Sequence, residues 1–322
     1  MISIAFKEGQ GLGNQLWNYV ICRCLAKKLK LDFFVADNNN FKGKNFLELD
    51  YGRILDTSNF KVFNERFYFD DEINYISHFY DERILDVKKN TLLNGYFQDE
   101  KYFFDYKDSI SNFLNIKNLE KTITEIDDDT CVINLRGGEY KRYKDLILPK
   151  KYWYDSISLM KDHKKNINFV VVTDDYRYAR IMFPNLKIIS ADIEKCYRAI
   201  MKTKYLILSN SSFSFFPIKT GRPKEFIIAP KYWARFGNKY NRWASPANLY
   251  NNWQWLDEKN KLFTSEECKE ENNLLKNYYI ENYNLASNFN KFNQSGFRKF
   301  FPKSIRFSVK KILSIFFPKH IG

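Results

Sequence analysis

The sequence predicts an α/β fold of Rossmann-like parallel sheets with helices on both faces. Short and almost continuously apolar runs, at residues 131–135, 168–172 and 205–208, are typical of strands that are buried on both faces. Segments with helical periodicity separate these runs, which indicates parallel strands joined by crossover helices. Polar loops follow all three runs. In an open parallel sheet such loops share the carboxyl edge, where ligands bind.

The first 120 residues begin with a strand, a glycine-rich loop and a helix. Residues 2–6 alternate like a strand, and glycines follow them at positions 9, 11 and 13. A helix is predicted next because apolar side chains recur at every fourth position, at Trp17, Ile21, Leu25 and Leu29. Further strands are predicted at 31–35, 60–69 and 92–95, with a helix over 106–114.

The rest of the chain is predicted to form a second Rossmann-like part and a helical extension. Helices are expected at 151–161, 176–182 and 194–203, and further strands at 186–189 and 226–228. A charged link over 117–129 indicates a boundary near residue 120. The predicted divisions are therefore 1–120, 121–257 and 258–322, and the last begins with a helical segment that runs to about residue 283.

The composition indicates an anionic partner but does not identify which kind. The 322 residues carry a formal net charge of +14, which indicates an anionic partner such as a nucleotide, nucleic acid or an acidic membrane surface. A nucleic-acid-binding protein is the alternative from another class. Because no RNP, KH, helix-turn-helix or zinc-finger pattern supports it, no nucleic-acid partner is expected.

Cysteine usage and hydropathy predict a cytoplasmic protein. The five cysteines form no CxxC pair, so a reducing cytoplasm is expected. The sequence shows neither a signal-peptide pattern at its start nor an apolar run long enough to cross a bilayer.

Neither a metal site nor a covalent nucleophile is expected. The three histidines are scattered along the chain and show no ligand spacing. Asp174 and Asp175 are adjacent, so their side chains point apart and chelate poorly, and the acidic run at 127–129 precedes a strand instead of following one. No G-x-S-x-G elbow is present. We therefore expect no metal and no cofactor.

The loop after the predicted strand at 131–135 is the strongest candidate site. It brings Arg136 and Glu139 to the carboxyl end of that strand, beside a pair of glycines. Arginine suits a bidentate grip on phosphate, and adjacent glycines let the backbone approach a ligand closely. On this segment alone, a turn with a surface ion pair is equally compatible. The polar loops after the other two strands favour a ligand site along the same edge.

Five motifs, in this order along the chain, resemble those of the α-1,2-fucosyltransferases of glycosyltransferase family 11. The family patterns are G-L-G-N-Q, G-Y-(F/W)-Q-S-E-K-Y-F, H-x-R-R-G-D-Y, N-S-(S/T)-F-S-W-W and P-x-x-W. This chain is similar to them at 11–16, 95–103, 134–140, 209–216 and 230–233. The resemblance covers residues 8–233, about two-thirds of the chain.

The resemblance implies a GT-B-like fold and a metal-independent, inverting transfer of fucose from GDP-fucose to a glycan hydroxyl, as in surface polysaccharide or O-antigen synthesis. The implied acceptor is an oligosaccharide or a lipid-linked glycan. The family's first arginine, which is tied to the donor's diphosphate, is present as Arg136. The family's histidine is replaced by Asn134, its second arginine by Gly137, its aspartate by Glu139 and its tandem tryptophan by two phenylalanines. These departures leave a transferase for another nucleotide sugar as an alternative.

Site roles follow from the resemblance together with the loops. Arg136 and Glu139 are predicted to be catalytic, Glu139 as the base for the acceptor hydroxyl. The predicted donor-binding residues are Gly11, Gly13, Asn14, Gln15, Asn134, Gly138, Asp174, Asp175, Asn210, Ser211, Ser212, Phe213 and Ser214. The predicted acceptor-side residues are Tyr96, Gln98 and Trp233.

Two C-terminal segments each have two interpretations. Residues 238–255 are rich in Trp and Asn, which fits a lid or acceptor-facing loop and fits aromatic packing equally well. Residues 297–317 combine Phe and Ile with Lys and Arg and contain no acid. This composition favours an amphipathic helix on the anionic inner face of the cytoplasmic membrane. A helix packed on the body of the protein is the alternative.

Overall fold

The computed structural model describes residues 1–53, 59–118, 123–190, 192–283 and 285. Within these residues the chain forms two larger sheets and two small strand pairs. The strands are β1 (Ile2–Ala5), β2 (Phe33–Ala36), β3 (Leu47–Glu48), β4 (Lys61–Asn64), β5 (Tyr68–Asp70), β6 (Tyr75–Ser77), β7 (Thr91–Asn94), β8 (Asn115–Ile116), β9 (Thr130–Leu135), β10 (Asn168–Thr173), β11 (Lys187–Ser190), β12 (Tyr205–Leu208), β13 (Phe226–Pro230), β14 (Gln254–Leu256) and β15 (Leu262–Phe263).

The two larger sheets are built from parallel strands. The first has the order β2-β1-β7-β4 and is parallel throughout. The second has the order β11-β10-β9-β12-β13-β14-β15 and is parallel except for the last pair. β9 lies in its interior and is buried at every position, as the apolar run predicts. The second sheet is doubly wound, and its strand order reverses between β9 and β12.

The helices cover these sheets, and several begin at side-chain caps. They are α1 (Leu12–Leu29), α2 (Ile110–Phe113), α3 (Lys150–His163), α4 (Tyr176–Met182), α5 (Ile193–Lys202), α6 (Phe215–Thr220) and α7 (Ser265–Asn282). The Asp175 carboxylate accepts from the third amide of α4, and Asp192 does the same for α5. A capping box of Thr264 and Glu267 starts α7. By contrast, Gly11 gives α1 no side-chain cap.

The predicted α/β class with GT-B-like, Rossmann-like sheets is confirmed, and one element prediction is wrong. The single strand predicted at 60–69 is two strands, β4 and β5, which belong to different sheets. Between them Glu65 turns inward and accepts hydrogen bonds from the backbone amides of Tyr96 and Phe97. The helix predicted over 106–114 is confirmed in position, and it consists of a 3-10 turn at Lys107–Ser109 followed by α2. The second sheet also extends further than predicted, through β14 and β15.

The chain has two halves, one built around the first sheet and one built around the second. An aromatic cluster centred on Trp17 of α1 joins them. Its ring lies 5.1 Å from Phe103, 4.4 Å from Phe215, 5.2 Å from Phe216 and 5.7 Å from Tyr250, measured between centroids. All five side chains are buried. The two phenylalanines that stand where the family has tandem tryptophan therefore fill the contact between the halves.

The C-terminal part of the described chain packs back onto the first half. Tyr279 of α7 donates to Asp70 Oδ2 at 2.6 Å, and Arg242 Nη1 lies 3.3 Å from the same oxygen. In the segment 238–255 the tryptophans Trp243, Trp253 and Trp255 are buried, so aromatic packing is the correct interpretation and the lid is not. Within the described residues no helix is both long and apolar enough to span a membrane. The helix predicted at 297–317 lies outside the described residues.

Candidate functional site

A cleft of about 330 Å³ opens between the two halves, beside the start of α1 and at the carboxyl ends of β9, β10 and β12. From the first half it is lined by Gly9, Gly11, Leu12, Gly13, Asn14 and Lys42. From the second half it is lined by Asn134, Arg136, Glu139, Tyr140, Thr173, Asp174, Ile193, Cys196, Ser211, Ser212 and Phe213. Ten of the predicted site residues are therefore together in one cleft.

The strand order of the second sheet explains where the cleft lies. Helices that follow β9 and β12 lie on opposite faces of a doubly wound sheet, so a crevice forms at the carboxyl ends of these two neighbouring strands. The loop after β9 carries Arg136, and the loop after β12 carries Ser211 and Ser212. The glycine-rich loop before α1 closes the crevice from the other sheet.

The Arg136 guanidinium is held in place on one side and has spare donors on another. Its Nη1 lies 2.8 Å from Asp174 Oδ2, and its Nη2 lies 3.9 Å from Glu139 Oε1. The guanidinium carbon lies 5.5 Å from the centre of the Tyr140 ring. Nε is buried and has no hydrogen-bond partner among the described residues. A buried donor of this kind calls for an acceptor, and a ligand oxygen would supply one.

The glycine pair after Arg136 allows two carboxylates to approach the loop. The Gly137 amide donates to Asp174 Oδ1 at 2.9 Å. A Cβ at Gly138 would lie 2.5 Å from Asp174 Oδ2, and one at Gly137 would lie 2.7 Å from the Asp175 Cβ. The expectation that these glycines make room for a ligand is thus corrected, because the neighbouring aspartates occupy that room.

Two serine hydroxyls orient two asparagines, Asn14 of α1 and Asn134 of β9. In the 3-10 turn Ser212–Ser214, Ser212 Oγ donates to Asn14 Oδ1 at 2.8 Å, and Ser214 Oγ donates to Asn134 Oδ1 at 3.0 Å. Both amide oxygens are therefore used inside the protein. The Nδ2 group of each asparagine makes no hydrogen bond to a described residue, which leaves two amide donors for the cleft.

Among the cleft residues that the sequence analysis did not predict, Lys42 has a charged side chain. Gln15 is fully buried beneath it, where Nε2 donates to Asn40 O at 2.8 Å and Oε1 accepts from Lys42 N at 3.0 Å. Gln15 therefore fixes the backbone of the loop after β2 and does not line the cleft. Because that loop also leaves the carboxyl end of a parallel strand, the rule that pointed to Arg136 could have found Lys42.

Cys196 lines the cleft as a buried thiol. Burial raises the pKa of the Cys196 thiol to about 12, so the side chain is protonated near neutral pH. Among the described residues no group of three or more His, Cys, Asp or Glu side chains is placed to hold a metal ion.

Several predicted donor-binding residues pack next to the cleft and do not line it. Gly138 packs on Asp174, and Ser214 is buried behind Asn134. Asp175 caps α4 and pairs with Lys141. Burial would raise the pKa of the Asp175 carboxyl, but the Lys141 ammonium and the Tyr178 amide hold it below its usual value.

Asn210 is also buried next to the cleft. Both atoms of its amide group are buried and have no hydrogen-bond partner among the described residues. Its predicted contact with the donor stays a prediction.

The predicted acceptor-side residues do not line the cleft either. Trp233 is 4% exposed and packs against Tyr250 and Trp255, so the expectation that it forms an acceptor surface is corrected to a role in the core. Tyr96 packs against His78, and Gln98 is buried with its Nε2 2.7 Å from Asn14 Oδ1.

The chain is similar to two Escherichia coli glycosyltransferases. It is 25% identical to an α-1,2-colitosyltransferase in a match 139 positions long, and the match covers 38% of this chain and about half (48%) of that protein. It is 24% identical to the O-antigen biosynthesis glycosyltransferase WbnK in a match 289 positions long, and the match covers 71% of this chain and 94% of that protein. This chain has glycosyltransferase homologues. No protein-family model matches the chain, so membership of glycosyltransferase family 11 stays a prediction.

Solved structures with a loose likeness to this chain include two transferases. Arabidopsis thaliana FUT1, as a mutant in complex with GDP, has a TM-score of 0.44 and 13% identity, and the match covers 70% of each chain. The E. coli heptosyltransferase WaaC with ADP has a TM-score of 0.39 and 11% identity, and the match covers 84% of this chain and 100% of that one.

The 3-10 turn Ser212–Ser214, called the serine turn below, contacts α1. This contact predicts that Gly13→Ala destabilises the protein. A Cβ at Gly13 would lie 2.6 Å from Phe213 N, a backbone atom that cannot move freely. Overpacking of this kind costs about 1–3 kcal/mol. The matched control is Gly11→Ala, because a Cβ there meets nothing within 4 Å. Thermal unfolding should show a lower Tm for Gly13→Ala than for Gly11→Ala, and equal Tm values would contradict this account of the contact.

Proposed function

We propose that the chain is a glycosyltransferase that moves fucose from GDP-fucose to a hydroxyl of a glycan, forming an α-1,2 linkage in surface polysaccharide or O-antigen synthesis. The observation that carries the proposal is the cleft at the strand reversal, where Arg136 meets the glycine-rich loop. The two E. coli relatives support the class of reaction and the kind of polymer by their names. The motif resemblance supports the donor and the linkage.

The leaving group in such a transfer is a diphosphate whose negative charge grows as the sugar bond breaks. Stabilising that charge requires fixed cations and hydrogen-bond donors. Arg136 Nε has no hydrogen-bond partner among the described residues, while Asp174 holds the orientation of the guanidinium. Lys42 adds a second cation from the opposite sheet. The amide groups of Asn14 and Asn134 add neutral donors.

Gly137 and Lys42 together account for the missing second arginine. A side chain at position 137 would begin 2.7 Å from the Asp175 Cβ and 2.9 Å from the ring of Tyr178. An arginine therefore does not fit without moving α4. In our proposal Lys42 replaces that charge from the other side of the cleft.

Glu139 is the proposed base for the acceptor. Its side chain is 67% exposed and lies 3.9 Å from Arg136, so it is open to an incoming hydroxyl and close to the reacting centre. Glu139 takes the hydroxyl proton as the acceptor oxygen bonds to the anomeric carbon. The bond from that carbon to the diphosphate breaks, and its electron pair leaves with the diphosphate. The result is inversion at the anomeric carbon.

A screen of sugar donors tests the proposal. Thermal shift and turnover are measured with GDP-fucose, GDP-mannose, a GDP-linked colitosyl donor and UDP-sugars, each in excess EDTA and in Mg²⁺ or Mn²⁺. We expect GDP-fucose to raise Tm and to be turned over equally in EDTA. Turnover only with a colitosyl donor would favour the alternative donor. No response to any GDP-sugar would refute the fucosyl assignment, and activity that needs the added metal would refute the metal-independent mechanism.

The two cations give a second prediction. Arg136→Lys keeps the charge but loses the planar fork, so kcat should fall roughly 10²-fold, as when one transition-state donor is removed. Lys42→Gln should lower kcat/KM for the donor, whereas Lys42→Arg should retain most of it. Lys44→Gln is the matched control, because Lys44 is an exposed lysine of the same loop outside the cleft. A Lys42→Gln variant that behaves like Lys44→Gln would remove Lys42 from the proposed site.

Glu139, the proposed base, gives a third prediction. Glu139→Gln keeps the size of the side chain and removes the proton acceptor, so kcat should fall by roughly 10²-fold or more. KM for the donor should change little, because Glu139 acts on the acceptor. Steady-state kinetics with both substrates varied measure the two effects. An unchanged kcat would show that another group accepts the proton.

A further inference from the structure

The outward face of α7 carries exposed apolar side chains. Leu274 is 75% exposed and Tyr278 is 38% exposed. The two residues lie about one helical turn apart, so they share one face of the helix. The buried residues of α7, which are Ser265, Cys268 and Tyr279, lie on the other face and pack on the body of the protein. α7 therefore presents an apolar strip to its surroundings.

A shallow groove of about 290 Å³ runs beside this strip. It is lined by Arg242, Glu271, Leu274, Leu275 and Tyr278. Single exposed apolar residues are common on soluble proteins and require no explanation. An apolar strip with a groove beside it is a candidate docking surface when a partner of matching chemistry is within reach.

The apolar strip lies in an acidic surface. Glu267 and Glu270 precede Leu274 on the same face, and Glu281 follows Tyr278, at spacings of three or four residues. Glu267 is held in the capping box of α7. By contrast, Glu270 and Glu281 are exposed and make no hydrogen bond or ion pair with a described residue. A partner for this face should therefore be apolar along one line and basic beside it.

The chain itself contains a segment of this chemistry. Residues 297–317, which lie outside the described residues, include six basic residues and no acid. Apolar residues recur in the same segment at intervals of three and four, at Ile305, Val309, Ile312 and Phe316. The segment thus matches the outward face of α7 in charge and in apolar spacing.

The chain after α7 can bring this segment to the helix. Leu285 forms an isolated antiparallel bridge with Tyr68 of β5, so the chain turns back onto the body of the protein after α7. Residues 286–296 can span about 36–40 Å when extended, and α7 is about 27 Å long. The outward face of α7 is therefore within reach of a segment that begins at residue 297.

We propose that residues 297–317 dock on the outward face of α7 within the same chain. Their apolar residues cover Leu274 and Tyr278, and their basic side chains pair with Glu270 and Glu281. The charge of α7 favours this occupant over a membrane, because an anionic bilayer that attracts the segment repels these glutamates. α7 contributes no residue to the cleft, so docking here is independent of the proposed function.

Cross-linking of the full chain tests the contact. A zero-length carbodiimide joins a lysine amine to a carboxylate only where the two groups touch. In a mixture of ¹⁴N- and ¹⁵N-labelled chains, we expect cross-links from lysines of residues 297–317 to Glu270 or Glu281, each within one isotope. Cross-links that join the two isotopes would make a second copy the occupant and overturn the proposal. The absence of any such cross-link would overturn it as well.

A charge reversal measures what the glutamates contribute. Glu270→Lys together with Glu281→Lys should lower the hydrogen-exchange protection of residues 297–317 on the order of tenfold, because two exposed ion pairs are replaced by repulsion. Adding Lys310→Glu and Lys311→Glu should restore part of the protection. Residues 297–317 that exchange without protection in the wild-type chain would contradict docking.

Asp108→Lys together with Asp162→Lys is the matched control. Both aspartates are exposed and lie outside α7, and the change in net charge is the same. The control should leave the protection of residues 297–317 unchanged. A loss equal to that of the α7 variant would show a general effect of charge and overturn the proposal.

Lipid vesicles distinguish α7 from a membrane as the occupant. In co-sedimentation with phosphatidylcholine vesicles that contain phosphatidylglycerol, the α7 variant should bind more than the control variant, because its released segment meets the anionic surface. Equal binding of the two variants would show that α7 does not hold the segment. If the α7 variant does not fold, Leu274→Ser removes the apolar contact in its place, and the same two measurements decide.

Discussion

The close approach of α1 to the serine turn after β12 is the contact on which the site depends. Gly13 meets the backbone at Phe213, so at this point α1 and the turn after β12 approach each other with almost no side-chain volume between them. This approach lets two hydroxyls of one turn reach Asn14 on α1 and Asn134 on β9. The loops of both halves are therefore set against each other by main-chain packing before any ligand binds. Such preorganisation lowers the reorganisation that a transition state would otherwise require.

The ion pair of Arg136 and Asp174 also fixes one of these loops. A guanidinium at the edge of a cleft could adopt many rotamers, but Asp174 accepts from both the Arg136 side chain and the amide of the next residue. One carboxylate thus fixes the loop and the cation together. Because Asp174 is only partly buried and the cleft is open, the ion pair itself adds little to stability. Its value lies in the direction that it gives to the remaining donors of Arg136.

The sequence was sufficient to predict which loops meet, because buried parallel strands have a readable apolar pattern and their carboxyl ends share one edge. It was not sufficient to predict which side chains of those loops face inward. Gln15 and Trp233 belong to motifs that look like ligand sites, yet both are buried and hold other protein groups. Lys42 belongs to no motif and lines the cleft. Orientation of this kind depends on partners far away in the chain, and a local pattern carries no information about them.

The same limit explains why residues 95–98, whose motif predicts an acceptor-side role, do not line the cleft. Its glycine lets the backbone approach the Glu65 side chain, since a Cβ at Gly95 would lie 2.6 Å from the Glu65 Cβ. That carboxylate accepts from the next two backbone amides, and Gln98 then reaches Asn14. Its glycine, main-chain amides and glutamine thus connect a buried charge to the cleft without lining it. A buried carboxylate is costly unless it is fully hydrogen-bonded, so these residues form one unit whose members depend on one another. A motif can therefore support the wall of a cleft while none of its side chains lines it.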